Sequence, residues 1–266
     1  RVTLGGSTAL IEVVEEQAFS VLSFYDGSST DADLDGNYGA VVMDVVYGDD
    51  EETSTITELV SVYTGVDMFT FGGDGTFTAN TLSGFASGFG TADGQAGYMS
   101  ESQTPTTYTV NPSGTVDLVI DAETTSGFTD SEGDLFTLSD PASRMYGVKL
   151  GTGNTNASLA NTSFDLSGLV IDSSNAALNV STYAGLTATF SADGTALTLT
   201  GTVDKAVAAF SDSALPSVAT ASQAFNLTSD AFTVADNGRL SPITFADSGL
   251  ELEGFIAANG GLLLRV

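Results

Sequence analysis

Along most of the chain, short runs of alternating apolar and polar residues break at glycine-centred turns. Met68-Phe69-Thr70-Phe71 leads into Gly72-Gly73-Asp74-Gly75 and out through Thr76-Phe77-Thr78. Tyr108-Thr109-Val110 turns at Asn111-Pro112-Ser113-Gly114 and returns as Thr115 to Ile120. Thr187 to Phe190 turns at Ser191-Ala192-Asp193-Gly194, and Phe232-Thr233-Val234 turns at Ala235-Asp236-Asn237-Gly238. Alternation with a period of two puts successive side chains on opposite faces of a strand. Glycine beside aspartate or asparagine supplies the positive φ of a tight hairpin. A series of such hairpins predicts an all-β chain, an antiparallel β-barrel or β-sandwich. Helix is expected only locally. Residues 9–24 read as an amphipathic helix or a long strand, and 205–210 and 215–224 as short helical turns.

The turns recur in order, which predicts two related halves from an internal duplication. Phe69 to Thr76 matches Ala188 to Thr195, and Tyr108 to Gly114 matches Phe232 to Gly238. Gly133 to Leu138 matches Gly260 to Arg265, and Asp33-Leu34-Asp35-Gly36 matches Asp165-Leu166-Ser167-Gly168. A Gly-Thr-Asn-Ser-rich stretch from Gly151 to Asn161 reads as the linker. The expected organisation is an N-terminal segment at 1–30, a first β domain at 31–153 and a second at 154–266.

Composition narrows the chemistry. Hydrophobic residues make up 42% of the chain, enough for a packed core. Without cysteine or histidine there are no disulfides, no thiolate sites and no imidazole base. Acidic residues number 34 against 6 basic ones, a net charge of −28 that comes mainly from missing lysine and arginine. Such a field repels phosphate backbones and anionic lipid, so nucleic acid is not an expected partner. No apolar run is long enough to predict a membrane span. A first residue other than methionine, scarce lysine, abundant serine and threonine, and 30 glycines point to an exported, extracellular or cell-surface protein.

One local pattern suggests a cofactor. Asp31-Ala32-Asp33-Leu34-Asp35-Gly36 places carboxylates at alternate positions before a glycine, as an oxygen-ligand loop for calcium requires. The twelfth position is Val42, where an EF-hand carries glutamate, so Asp31, Asp33 and Asp35 would serve a loop of another type. The run Asp49-Asp50-Glu51-Glu52 reads as a solvated hairpin tip. No catalytic constellation emerges: Ser-x-x-Lys is absent, and carboxylates are too many for any pair to be informative. The chain is read as no enzyme. Sequons fall at Asn156, Asn161, Asn179 and Asn226.

Leu34-x-Gly36 and Leu166-x-Gly168, the Phe-x-x-Asp-Gly-Thr hairpins at Phe71 and Phe190, and the ending Gly254 to Gly261 resemble bacterial secreted lipocalin-like β-barrel repeats. The ending is similar to the closing motif of transferrin-binding-protein-like barrels. The resemblance implies a β-barrel on an exported protein.

Both ends of the chain are apolar and strand-like, suited to pairing with another chain. The candidate assembly residues are Leu10, Phe19 and Phe24 at one end, and Leu250, Leu252, Phe255, Leu262 and Leu264 at the other. The expected function is a self-assembling surface subunit, a filament, surface layer or adhesin, that pairs strands with its own copies or with other surface proteins. The alternative is a monomeric barrel that binds a small apolar ligand.

Overall fold

The computed structural model describes residues 11–15, 18–22, 29–50, 55–88, 97–101, 106–120, 123–139, 143–174, 177–211 and 214–265. Among them the regular structure is antiparallel strand, with two single 3-10 turns at Asp31–Asp33 and Asn156–Ser158 and no α-helix. The all-β expectation therefore holds. Residues 9–24 contain β1 (Ile11–Glu15) and β2 (Ala18–Leu22), which pair with each other. Among the described residues they join no other sheet.

The first unit is a closed barrel. It contains β3 (Asp35–Asp50), β4 (Thr55–Gly72), β5 (Thr76–Gly88), β6 (Gly97–Glu101), β7 (Thr106–Val110), β8 (Thr115–Ile120), β9 (Glu123–Thr129), β10 (Leu135–Ser139) and β11 (Ser143–Lys149). Eight of these form the ring β4-β3-β11-β10-β9-β8-β7-β5, closed by the pairing of β5 with β4, while β6 extends β5 outward. Alternation along each strand sends Tyr38, Ala40, Phe69, Phe71, Phe77, Tyr108, Val116, Leu118, Phe136 and Leu138 inward, each at most 2% exposed. Phe71 lies at the centre, with ring centroids 4.9–5.3 Å from Tyr38, Phe77, Tyr108 and Phe136. Val42, the twelfth residue of the aspartate-rich run, is a buried β3 residue. Gly147 of β11 is forced, because a Cβ there would fall 2.0 Å from the Phe136 ring.

The second unit has β12 (Ser163–Ser174), β13 (Ala177–Phe190), β14 (Leu197–Ser211) and β15 (Ala214–Thr228) in one sheet. A second sheet holds β16 (Arg239–Phe245), β17 (Leu250–Ile256) and β18 (Leu262–Arg265). The helical turns expected at 205–210 and 215–224 are strand instead, lying within β14 and β15. Continuous pairing from Thr198↔Thr228 to Ala209↔Ser217 overrides the alanine-rich local propensity. Both sheets share one core that includes Phe190, Leu197, Leu199, Phe232, Leu240, Ile243, Phe245 and Leu252.

The two units share a set of hydrogen bonds at their turns. The Thr76 amide and hydroxyl donate to Asp74 Oδ1, and those of Thr195 donate to Asp193 Oδ1. The 111–114 turn closes by Asn111 N–H to Thr115 O and Gly114 N–H to Asn111 O, just as Ala235 N–H meets Arg239 O and Gly238 N–H meets Ala235 O. Thr129 N–H donates to Gly114 O, and Ile256 N–H to Gly238 O. A Cβ at Gly127 would fall on the Thr137 carbonyl, and one at Gly254 on that of Leu263. On this correspondence β3, β4, β5 and β6 match β12, β13, β14 and β15. The segment 229–234 matches β7, and β8, β9 and β10 match β16, β17 and β18. Nothing among the described residues matches β11.

Two expected anchors are corrected. The pairs Gly127↔Leu138 and Gly254↔Leu264 set Leu138 against Leu264, so the Gly133 anchor is one residue out along its strand. Asp33 to Gly36 does not align with Asp165 to Gly168. The register Tyr38↔Phe69 corresponds to Phe164↔Ala188, which places Asp165 at Gly39 and aligns Thr30-Asp31-Ala32-Asp33-Leu34 with Thr155-Asn156-Ala157-Ser158-Leu159. Leu34 and Leu159 are both fully buried.

A third apolar cluster joins the units: Val66, Val148 and Leu150 of the barrel wall pack with Phe255 and Ala257. Leu150 bridges Ala257, and Ala258 N–H donates to Lys149 O at 2.8 Å. The Phe255 ring lies where a Gly39 side chain would be, 2.4 Å from the position of its Cβ. The counterpart of Phe255 in the first unit is Phe128, which is exposed. The counterpart of Gly39 is Asp165, so the second unit has no matching apolar seat.

Gly39→Val should therefore destabilise the docking of the units by about 1–3 kcal/mol, the usual range for overpacking. Calorimetry should show the unfolding endotherm broaden or split. An unchanged single transition would contradict this seat for Phe255.

Candidate functional site

The aspartates of the sequence motif sit at one end of the first barrel, in and just after its 3-10 turn. Thr30 N–H donates to Asp33 Oδ2 at 2.9 Å, a capping arrangement that holds the turn. Asp31 Oδ1 accepts the Val110 amide at 2.6 Å, which ties the turn to β7. The Tyr108 hydroxyl lies within reach of the Asp31 and Leu34 carbonyls, at 2.9 and 2.7 Å, and that of Tyr38 donates to Gly133 O. Burial pushes both phenols above their ordinary range, and for Tyr38 the nearby Asp130 and Asp134 charges add to the shift. Asp35 opens β3 and is exposed. Among the described residues no group of three or more histidine, cysteine, aspartate or glutamate side chains is arranged to hold a metal ion.

The second unit builds the same plug without the charge. Asn156 stands in the place of Asp31 and accepts from Val234 N–H at 3.3 Å. Its amide donates to Gly194 O at 2.9 Å and to Phe232 O at 3.1 Å. Phe232 replaces Tyr108 and brings no hydroxyl; the Leu159 carbonyl, the counterpart of that of Leu34, accepts instead from the Thr162 amide and hydroxyl. Ser158 replaces Asp33 and caps Thr155 N–H at 3.2 Å. In both units the turn seats a fully buried leucine, Leu34 or Leu159, in the core. The repeated Thr-Asx-Ala-x-Leu string is legible in the sequence and would have revealed Asn156.

At the C-terminal end the assembly residues divide. Leu252 and Phe255 spend their apolar surface inside the chain, at 2% and 0% exposure. Leu250, Leu262 and Leu264 are half-buried and pack on the second core. Phe19 lies on β2, and Leu10 and Phe24 lie outside the described residues. β18 is bonded to β17 on one side: Gly254 pairs with Leu264, and Glu253 with Arg265, whose side chains form an ion pair at 3.6 Å. On its other side no pairing is made among the described residues.

Sequence reasoning missed Phe164 and Leu166 of β12, which are half-buried and pack on the same core as Leu262 and Leu264. Their counterparts beside β11, Tyr38, Ala40, Phe136 and Leu138, are at most 2% exposed. The apolar-ligand alternative gains no support at the described end of the first barrel, where aromatic rings fill the interior. No helix among the described residues is long and apolar enough to cross a membrane. No family model matches the chain, and neither the curated proteins nor the solved structures give a significant match.

Two predictions follow from the plugs. Asp31→Asn keeps the acceptor for Val110 and should cost under about 1 kcal/mol, whereas Asp31→Ala strands that amide and should cost about 1–3 kcal/mol in denaturant unfolding. Equal losses would contradict the pin. The carboxyl of Asp193 is pulled down to about 2 by the Ser191 hydroxyl first and Thr195 next. Its contribution to stability is present above the ordinary 3.8 and lost as pH falls towards 2. Burial raises Asp130, whose contribution is instead present below 3.8 and lost as pH rises through its folded value. Carboxyl NMR titration should find Asp193 ionising first and Asp130 above 3.8, and the reverse order would refute the assignment.

Proposed function

We propose that this protein is an exported, non-catalytic structural subunit of the cell exterior that self-assembles by pairing β-strands between copies. One observation carries the reading: β18 and β12 are edge strands, each paired on one side only among the described residues. An unpaired edge presents a row of backbone donors and acceptors, the template for addition of another strand. Half-buried apolar side chains along that edge add a reason to be covered. The net charge of −28 suits a protein that stays soluble until a specific surface engages.

Light scattering and negative-stain microscopy of the purified chain test this directly. Regular polymers that grow with protein concentration are expected, in calcium and in chelator alike, because Asp31 and Asp33 already serve backbone amides. A monomer across the concentration range in both buffers would sink the reading.

A further inference from the structure

Asn-Gly occurs twice in the chain, at Asn237-Gly238 and Asn259-Gly260, and the two pairs sit in turns of the same form. Ala235 N–H donates to Arg239 O and Gly238 N–H to Ala235 O, as Ala257 N–H donates to Gly261 O and Gly260 N–H to Ala257 O. Gly238 and Gly260 take φ of 82° and 83°. In each turn the asparagine Oδ1 accepts the amide two residues on, from Arg239 at 3.2 Å and from Gly261 at 3.0 Å.

The dipeptide is chemically labile. The glycine nitrogen, with no Cβ beside it to obstruct the approach, can attack the asparagine Cγ. An N–Cγ bond forms and the Cγ–Nδ2 bond breaks. Solvent takes the glycine amide proton and returns one to the amine, which leaves as ammonia. Water then opens the cyclic imide to aspartate or to isoaspartate, whose main chain runs through the former side chain. The amide donated to Oδ1 polarises the Cγ carbonyl towards this attack, equally in both turns.

What distinguishes the two is their surroundings. A Cβ at Gly238 would fall 2.5 Å from Ile256 O and 3.2 Å from Asn154 Nδ2, so its backbone is hemmed in, whereas nothing lies within 4 Å of that position at Gly260. Asn237 Nδ2 donates to Met68 Sδ of the first unit at 3.7 Å. Asn259 is exposed, and its Nδ2 makes no hydrogen bond among the described residues. The Asn237 turn is also pinned from outside: Asp236 accepts from Asn154 N–H and Gly153 N–H, and Gly238 O from Ile256 N–H. We propose that Asn259 is a site of spontaneous deamidation and isoaspartate formation in the folded protein, and that the same dipeptide at Asn237 is protected. The product acts on the seam between units, because Leu150 bridges Ala257 and Ala258 N–H holds Lys149 O immediately before the modified residue. Isoaspartate lengthens the main chain of that turn and adds a carboxylate to it.

The natural full chain tests this directly, incubated at mildly alkaline pH in heavy-oxygen water and mapped by peptide mass spectrometry. In denaturant both asparagines should exchange amide for acid at similar rates. In the folded chain Asn259 should react at least about tenfold faster than Asn237, because a loosely held turn opens at lower cost than a pinned one. Similar rates at the two sites in the folded chain, or an Asn259 that reacts only in denaturant, would overturn the proposal. Asn259→Gln, which would need a larger ring, should abolish the folded-state reaction, and a mass gain retained in that variant would place the chemistry elsewhere. The isoaspartyl fraction, separated from unreacted chain by its added charge, should melt at a lower temperature. An unaltered midpoint would refute the effect on the seam.

Discussion

A β-strand has two edges, and each edge group must find a partner or water. The architecture follows from how that requirement is met. In the first unit eight strands close on themselves, and closure makes the interior dry enough to be filled by aromatic rings around Phe71. The plug at the barrel end obeys the same rule in miniature. Asp31 satisfies the Val110 amide that the end of β7 leaves free, and the buried tyrosine hydroxyls satisfy carbonyls of the turns.

In the second unit the described strands form two sheets around one core, with β12 and β18 at their edges. Phe164, Leu262 and Leu264 stay half-buried where Tyr38, Phe136 and Leu138 are sealed. The units also differ in their outer walls. Gly39 gives the first barrel a seat for Phe255, whereas Asp165 denies the second unit an equivalent seat, so docking between units does not continue by that route.

Charge has a supporting role. Carboxylates at the turns are held by local hydroxyls and amides, as with Asp74 and Thr76 or Asp193 and Thr195. The turns are repeated because Asp-Gly-Thr solves the same local problem twice: glycine takes the positive φ at Gly75 and Gly194, and the aspartate caps the strand that follows.

The sequence by itself determined the all-β class, the hairpin turns and two of the four repeat anchors, while the Gly133 anchor is one residue out along its strand. These depend on local alternation and on residues whose backbone preferences are intrinsic. It misplaced the first anchor because Leu-x-Gly is common in strands, while the informative string, Thr30 to Leu34 against Thr155 to Leu159, is short and mixed in composition. It also favoured helical turns at 205–210 and 215–224, where pairing along β14 decided otherwise. Only the tertiary structure could show that the Asp31 carboxylate is an acceptor for Val110 and that Phe255 is spent between units. Those facts concern which residues meet across long stretches of chain, and alternation within a strand carries no record of its partner.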